Sequence, residues 1–347
     1  MMSFRGGKLD GLSLSGSSLW LFTEIAECKG REQLYTRQAP QLLKTLREAA
    51  LIQSAESSNR IEGVVVEPDR LVPLIIKNAR PRDRSEEEVQ AYRKALDLIH
   101  SQASKLLITP DLIRRLHGII QKGAGDAGAY KRIDNQIIEI RPGAPPMVRF
   151  EPVRAADTPN AIETMCLGYR HVVDQQLVHP LLACAGLILD FLCIHPFRDG
   201  NGRISRLLTL LAVYQHGYEV GRYISLERLI EQSREDYYEV LKKSSQGWHD
   251  SKHDLMPWLN YSLSILRREY REFEDRAGQV SMRRGAKTGL VEAAVEAMIG
   301  PFTLSELERV CPNVSRDTVR RALRQMRDAG KIEGISRGRS SAWKKRG

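Results

Sequence analysis

Apolar residues recur three and four positions apart along most of this chain, the period of a helix with one buried face. The pattern predicts helices over 40–60, 85–104, 110–121, 161–175, 180–194, 204–216, 226–233, 234–245 and 252–276. Local punctuation agrees. Thr109 before Pro110 is a favourable start, because proline at the first helical position forfeits no hydrogen bond. Gly217 is a natural stop, since glycine tolerates the left-handed conformation that ends many helices. The apolar run 181–194 is interrupted by Asp190 and is shorter than the roughly 18 residues of a membrane span. It therefore predicts a buried helix and no membrane partner.

Residues 123–159 break this rhythm. They are rich in glycine and proline and hold two β-like runs, Gln136, Ile137, Ile138, Glu139, Ile140 and then Met147–Phe150, around a proline-containing turn. A small hairpin over a helical bundle is the expected arrangement. After an interruption near 276–288, a compact unit follows. A first helix is expected over 290–299, and Thr303 with Glu306 fits a capping box. Ser315 can cap a third helix ending at Ala329, and strand, turn and strand fill 331–345. The fold class expected is mainly α, in three parts: an N-terminal helical region over 1–105, a core over 106–280, and a C-terminal unit over 286–347.

Composition changes this picture in two places. The 42% hydrophobic and 28% charged content excludes a collagen, a disordered tail and a membrane channel. Five cysteines without metal-like spacing read as small buried residues in a reducing compartment, and the start of the chain lacks the apolar core of a signal peptide. A cytoplasmic location is expected. The formal net charge is +10, but residues 281–347 hold 15 Lys/Arg against 7 Asp/Glu, so the basic excess belongs mostly to the C-terminal unit. Any nucleic-acid contact belongs there too.

The richest chemistry lies at 195–206, His-Pro-Phe-Arg-Asp-Gly-Asn-Gly-Arg-Ile-Ser-Arg. Pro196 ends the preceding helix, and Gly200 and Gly202 let the backbone approach a ligand closely. The N–H groups opening the next helix, with those of the loop, form an anion-binding concavity. Arg203 and Arg206 are three apart and can face one polyphosphate. Asp199 is a hard oxygen ligand suited to Mg²⁺ bridging phosphates. His195 can take a proton from an attacking hydroxyl at neutral pH. A base, a metal ligand, an anion cradle and two arginines together are the parts for nucleotidyl or phosphoryl transfer.

This segment resembles the signature of the Fic family, His-Pro-Phe-x-(Asp/Glu)-Gly-Asn-Gly-Arg-x-x-Arg, at every specified position. The resemblance implies a Fic-type helical core and transfer of AMP from ATP, with Mg²⁺, to a protein hydroxyl, the chain's own included. It casts His195 as base, Asp199 as Mg²⁺ ligand, and Gly200, Asn201 and Gly202 as phosphate binders. Arg203 would contact the phosphates and Arg206 the γ-phosphate. The hairpin would be the flap that pairs with an extended target segment. Lys131 stands where an arginine is common in the family, and no role is carried over to it.

Upstream, Ser58, Glu62 and Gly63 resemble the family's inhibitory element, (Ser/Thr)-x-x-x-Glu-(Gly/Asn). The implied brake is Glu62 pairing with Arg206 in the space of the γ-phosphate. The C-terminal unit resembles a winged helix-turn-helix. Arg316, Arg320, Arg324 and Arg327 line one side of its third helix, opposite Val319, Ala322, Leu323 and Met326; Arg321 flanks that stripe, and Arg337 and Arg339 stand at the wing tip. Double-stranded DNA is the partner this implies. Two alternatives stay open: a DNA-binding regulator using the Fic core as a nucleotide sensor, and an enzyme that removes AMP. A homodimer is also left open.

Overall fold

A computed structural model describes the backbone of residues 3–4, 8–9, 11–38, 40–139, 145–281, 286–311, 314–336 and 342–346. Side chains are described for the same residues apart from 33–41 and 278–287. The N-terminal region holds α1 (Gly16–Gln38), α2 (Pro40–Ile61), α3 (Pro68–Ile75) and α4 (Arg84–Gln102). Next come α5 (Pro110–Ile120), the hairpin strands β1 (Ile137–Glu139) and β2 (Met147–Phe150), α6 (Thr158–Asp174) and α7 (Pro180–Ile194). Then follow α8 (Asn201–Gln215), α9 (Leu226–Gln232), α10 (Arg234–Ser245) and α11 (Met256–Ser281). The C-terminal elements are α12 (Ala286–Ala297), β3 (Phe302–Thr303), α13 (Leu304–Val310), α14 (Arg316–Asp328), β4 (Ile332–Gly334) and β5 (Ala342–Lys345).

The core is built around α7. Every residue of that helix after Pro180 is buried, as expected of a helix that is apolar on all sides. α6, α8, α10 and α11 pack on it. Asp190, the one charged residue in the run, is satisfied internally: it accepts from the Ser3 N–H at 2.8 Å, the Ser3 hydroxyl at 2.8 Å and the Trp248 indole at 2.8 Å. The first described residues thus reach the centre of the molecule, and Phe4 packs where Gly168 of α6 leaves room. α2 lies across α4 and α9 and touches α8 with its last turns. That packing carries the C-terminus of α2 to the start of α8.

The periodic pattern did not predict α1 or α3. α1 runs along α11, and its buried positions mix Ile25 and Cys28 with Ser18 and Glu32, so no apolar stripe marks it. α3 begins with Pro68 at its first position but also contains Pro73, a residue that ordinarily signals a helix end. The hairpin is shorter than expected. β1 pairs with β2 antiparallel, matching Ile138 with Val148 and Glu139 with Met147. Gln136 precedes the strand, and Ile140 lies outside the described residues.

The C-terminal elements share a second apolar cluster that includes Val291, Val295, Phe302, Leu307, Val319, Leu323, Met326 and Ile332. The order of its sheet is β3-β5-β4, so the short β3 adds a third strand to the expected pair. The capping box forms: Thr303 Oγ1 accepts from the Glu306 N–H at 3.3 Å, and Glu306 accepts from the Thr303 N–H at 2.8 Å. Ala293 and Ala297 of α12 face the other way, into the main core.

Candidate active site

The loop joining α7 to α8 is braced by side chains from outside it, Lys131 and His117 among them. His195 ends α7 in the left-handed conformation, φ +49° and ψ +62°, which costs a non-glycine residue about 1–2 kcal/mol. Its N–H donates to the Phe191 carbonyl at 2.9 Å. Lys131 braces the turn, its backbone N–H donating to Pro196 O at 2.9 Å and its Nζ to Ile194 O at 3.2 Å and Asn135 Oδ1 at 2.7 Å. Phe197 is fully buried and stacks on His117 at 3.8 Å. His117 Nδ1 accepts from the Gly128 N–H at 2.9 Å, so Nε2 carries the proton and donates to Asp199 O at 3.2 Å.

Asn201 braces the loop from the first turn of α8. Its side chain accepts from the Phe197 N–H at 3.0 Å and donates to the Phe197 carbonyl at 2.8 Å. These two bonds tie the start of α8 to the turn at Phe197, and the Asn201 backbone N–H lies in the helix's first turn. The anion cradle itself is open backbone. Gly200 has φ +80°, and α8 starts immediately after it. A Cβ on Gly202 would fall 2.2 Å from Glu62 Oε1 and 3.3 Å from Arg206 Nη1. A carboxylate therefore already lies on the cradle.

Glu62 reaches it because α2 ends at Ile61 and Gly63 turns with φ +85°. Glu62 Oε1 accepts from Arg206 Nη2 at 2.7 Å. The same guanidinium donates to Ser58 Oγ and to the Ser58 carbonyl, both at 2.9 Å. Burial opposes the charge of Arg206, but the Glu62 carboxylate together with Tyr92 and Tyr237 outweighs it and raises its pKa above the ordinary arginine value. Arg203 is equally buried and is held by Glu88 of α4 at 2.6 Å, Asn59 at 3.3 Å and Asp199 at 3.3 Å. Glu88 and Asn59 were not foreseen, and nothing in the spacing of α4 singles out Glu88.

The Asp199 carboxylate projects outward, and its side chain is 61% exposed. Burial of the rest of the loop opposes its charge, but a hydrogen bond from Gln121 at 2.9 Å, the Arg203 guanidinium and the Gly200 N–H outweigh that and lower its pKa. It is a deprotonated hard ligand on an open face. A single carboxylate suits Mg²⁺, which binds through one or two carboxylates and substrate phosphates.

His195 lines a cleft of 860 Å³ with Glu62, Gly202, Arg206, Arg149, Tyr237 and the hairpin residues Ile137, Ile138 and Glu139. Its Nδ1 is buried, which leaves Nε2 for the cleft. Burial, reinforced by the charge of Lys131, lowers its pKa to about 4; the Leu192 backbone and Glu62 act weakly the other way. The ring is therefore neutral at pH 7 and can accept a proton. Burial also lowers Lys131 to about 8. Glu139 anchors the hairpin through Lys242 Nζ at 3.0 Å, while Ile138 is 53% exposed at the cleft's rim. Gln136 bonds Glu151 at 3.2 Å, outside the strand pairing.

Residues 107–213 match the Fic/DOC family. A Fido domain-containing protein of Dictyostelium discoideum is 30% identical over 117 residues, 32% of this chain and 78% of that protein. The chain belongs to the Fic/DOC family. The matched span includes the loop, Lys131, the hairpin and α8 as far as Val213. A protein adenylyltransferase Fic of Nematostella vectensis is 26% identical over 242 residues, 67% of this chain, and the chain spans about half, 51%, of that relative's length. Among solved structures, a Fic family protein of Desulfovibrio desulfuricans overlays with a TM-score of 0.62 at 22% identity, covering 97% of this chain and 98% of that one. The overall fold is thus a Fic fold.

The C-terminal arginines lie away from this cleft. Val319, Ala322, Leu323 and Met326 are the buried stripe of α14, as its pattern requires, and Arg316, Arg320, Arg321 and Arg324 are exposed. Arg316 pairs with Glu308 at 3.2 Å, whereas among the described residues Arg320, Arg321 and Arg324 carry no ion pair. Arg337 and Arg339 lie outside the described residues. Among the described residues no helix is long and apolar enough to cross a membrane.

Proposed function

We propose that this chain is an autoinhibited protein adenylyltransferase. The observation that carries the proposal is the Glu62 carboxylate lying over Gly202 and bonded to Arg206, inside the cleft of His195. An acid on an anion cradle stands where a phosphate would bind.

The chemistry follows from the residues present. A target Ser, Thr or Tyr hydroxyl enters the cleft beside the hairpin, whose edge can align an extended segment. His195 Nε2 takes the hydroxyl proton as the oxygen bonds to the α-phosphorus of ATP. The bond between the α-phosphorus and its bridging oxygen breaks, and pyrophosphate leaves. The backbone N–H groups at the start of α8, with Arg203 and Arg206, would hold the triphosphate. Asp199 would hold Mg²⁺, whose charge supports the phosphates and leaving group. While Glu62 occupies the cradle the γ-phosphate is displaced, and a shift of about 1 Å can cost roughly a hundredfold in rate.

The test is incubation of wild type, Glu62→Gly and Glu62→Gly/His195→Ala with labelled Mg·ATP and lysate. Glu62→Gly should raise AMP incorporation by up to roughly a hundredfold, and removing His195 should abolish it. Incorporation that survives the loss of His195 would sink the mechanism.

A second role is proposed for the C-terminal unit, winged-helix contact with double-stranded DNA. Three exposed arginines on one side of α14, with no ion pair among the described residues, favour it. Such binding must weaken steeply with salt, by roughly 0.9 in log–log slope per phosphate contact. Affinity indifferent to salt would contradict it.

A further inference from the structure

The inhibitory helix is gripped from behind by a polar cluster that the nucleotide site does not use. Glu227, the second residue of α9, is fully buried. It meets three hydroxyls. Ser54 Oγ donates to its Oε2 at 2.6 Å, Ser225 Oγ to the same oxygen at 3.2 Å, and Tyr92 Oη to its Oε1 at 2.9 Å. The Ser54 and Ser225 hydroxyl oxygens lie 2.9 Å apart around that carboxylate oxygen. Ser54 lies on α2, one helical turn before Ser58. Tyr92, from α4, neighbours the side chain of Ser58 as well. Ser58 in turn receives Arg206, which carries Glu62. A continuous buried chain therefore links Glu227 to the brake through two routes: Ser54 along the backbone of α2, and Tyr92 to Ser58.

The chemistry of the cluster points to positioning. Hydrogen bonds to a carboxylate are about twice as strong as neutral ones and directional. Ser54, Tyr92, Ser225 and Glu227 are 0–2% exposed, so no water competes for their partners. An apolar contact would let α2 slide or roll; a carboxylate with hydroxyls from α2 and α4 fixes its rotation and rise. Ser58 and Glu62 then meet Arg206 in register. Outside the cluster, Arg60 pairs with Glu231 of α9 at 2.7 Å, but at a more exposed position where such a pair contributes little.

We infer that Glu227 is a positioning residue for autoinhibition, a latch that sets the inhibitory helix through Ser54 and through Tyr92 and Ser58. The inference rests on the reading of Glu62 as the brake. Disturbing the latch should loosen the last turns of α2 and release part of the inhibition.

The experiment uses the full chain with Tyr92→Phe, Ser54→Ala and Glu227→Gln, each also combined with Glu62→Gly. Two measurements are made: amide hydrogen exchange over 55–63, with 181–194 as internal reference, and incorporation of labelled AMP. Tyr92→Phe and Ser54→Ala preserve shape, so they guard against a Glu227 variant that fails to fold. The latch predicts faster exchange over 55–63, at least about fivefold, with 181–194 unchanged. It also predicts at least about a threefold rise in incorporation, and no further rise in the Glu62→Gly background, the non-additivity of residues acting in one unit. A merely structural role would lower incorporation in both backgrounds. Unchanged exchange over 55–63 in all three variants would overturn the latch. So would faster exchange with unchanged incorporation where Glu62→Gly is active. If Glu62→Gly itself has no effect, the brake fails separately, and the exchange result still decides whether Glu227 holds the helix.

Discussion

Single residues decide the chemistry of the loop, and some act differently from what their type implies. His195 is the clearest case. A free histidine is half-charged near pH 6.5, but burial and Lys131 lower this one to about 4. Its ring should remain neutral at pH 5.5, which an NMR titration of labelled histidine, assigned with His195→Ala, can read directly. A midpoint near 6.5 would refute the burial argument. Gly202 makes a second prediction. Its Cα faces the cradle so closely that a methyl group would meet Glu62 Oε1 at 2.2 Å. Removing Glu62 clears that clash but leaves the methyl in the proposed phosphate site. Gly202→Ala should therefore stay at least about a hundredfold below Glu62→Gly, even in the double variant, because the phosphate cannot settle in line. Recovery to the Glu62→Gly rate would mean that the cradle is elsewhere.

Elements carry the next layer. The motif is contiguous, and its helix–loop–helix form was legible because Pro196, Gly200 and Gly202 punctuate it. The apolar stripe of α14 was legible for the same local reason, and its arginines follow by subtraction. Arg324→Ala should lower DNA affinity about equally across sequences and reduce the salt slope by roughly 0.9, if it contacts one phosphate. Fluorescence anisotropy over a salt series measures both. α1 was not legible, since its buried face mixes serine and glutamate with apolar residues. α3 was hidden by Pro73, whose missing N–H matters little in a helix of 8 residues.

At the scale of the whole molecule, the described N-terminal residues and Asp190 tie the chain's beginning to its central helix. Asp190 is raised from 3.8 to about 6, burial outweighing the bonds from Trp248 and Ser3. The folded state thus keeps this proton up to about pH 6, whereas the unfolded chain releases it near 3.8. Between those values the folded state binds more protons, so raising the pH costs wild type stability, by up to about 3 kcal/mol. Asp190→Asn does not titrate. Its stability relative to wild type, measured by urea unfolding, should rise from pH 4 to pH 6; taking the difference cancels the opposing titration of His100. A flat difference across that range would show that Asp190 is charged in the fold.

The sequence by itself determined what local order can encode. The helical period, the residues of the anion loop and the Ser58, Glu62, Gly63 element could all be named because each depends on neighbours a few positions away. Tertiary structure alone decided their partners. Arg203 meets Glu88 across 115 residues, Lys131 supports Ile194 across 63, and Ser54 reaches Glu227 across 173. Such pairings depend on how α2, α4 and α9 pack, and packing is set by the summed fit of whole helix faces. No spacing in the chain records it.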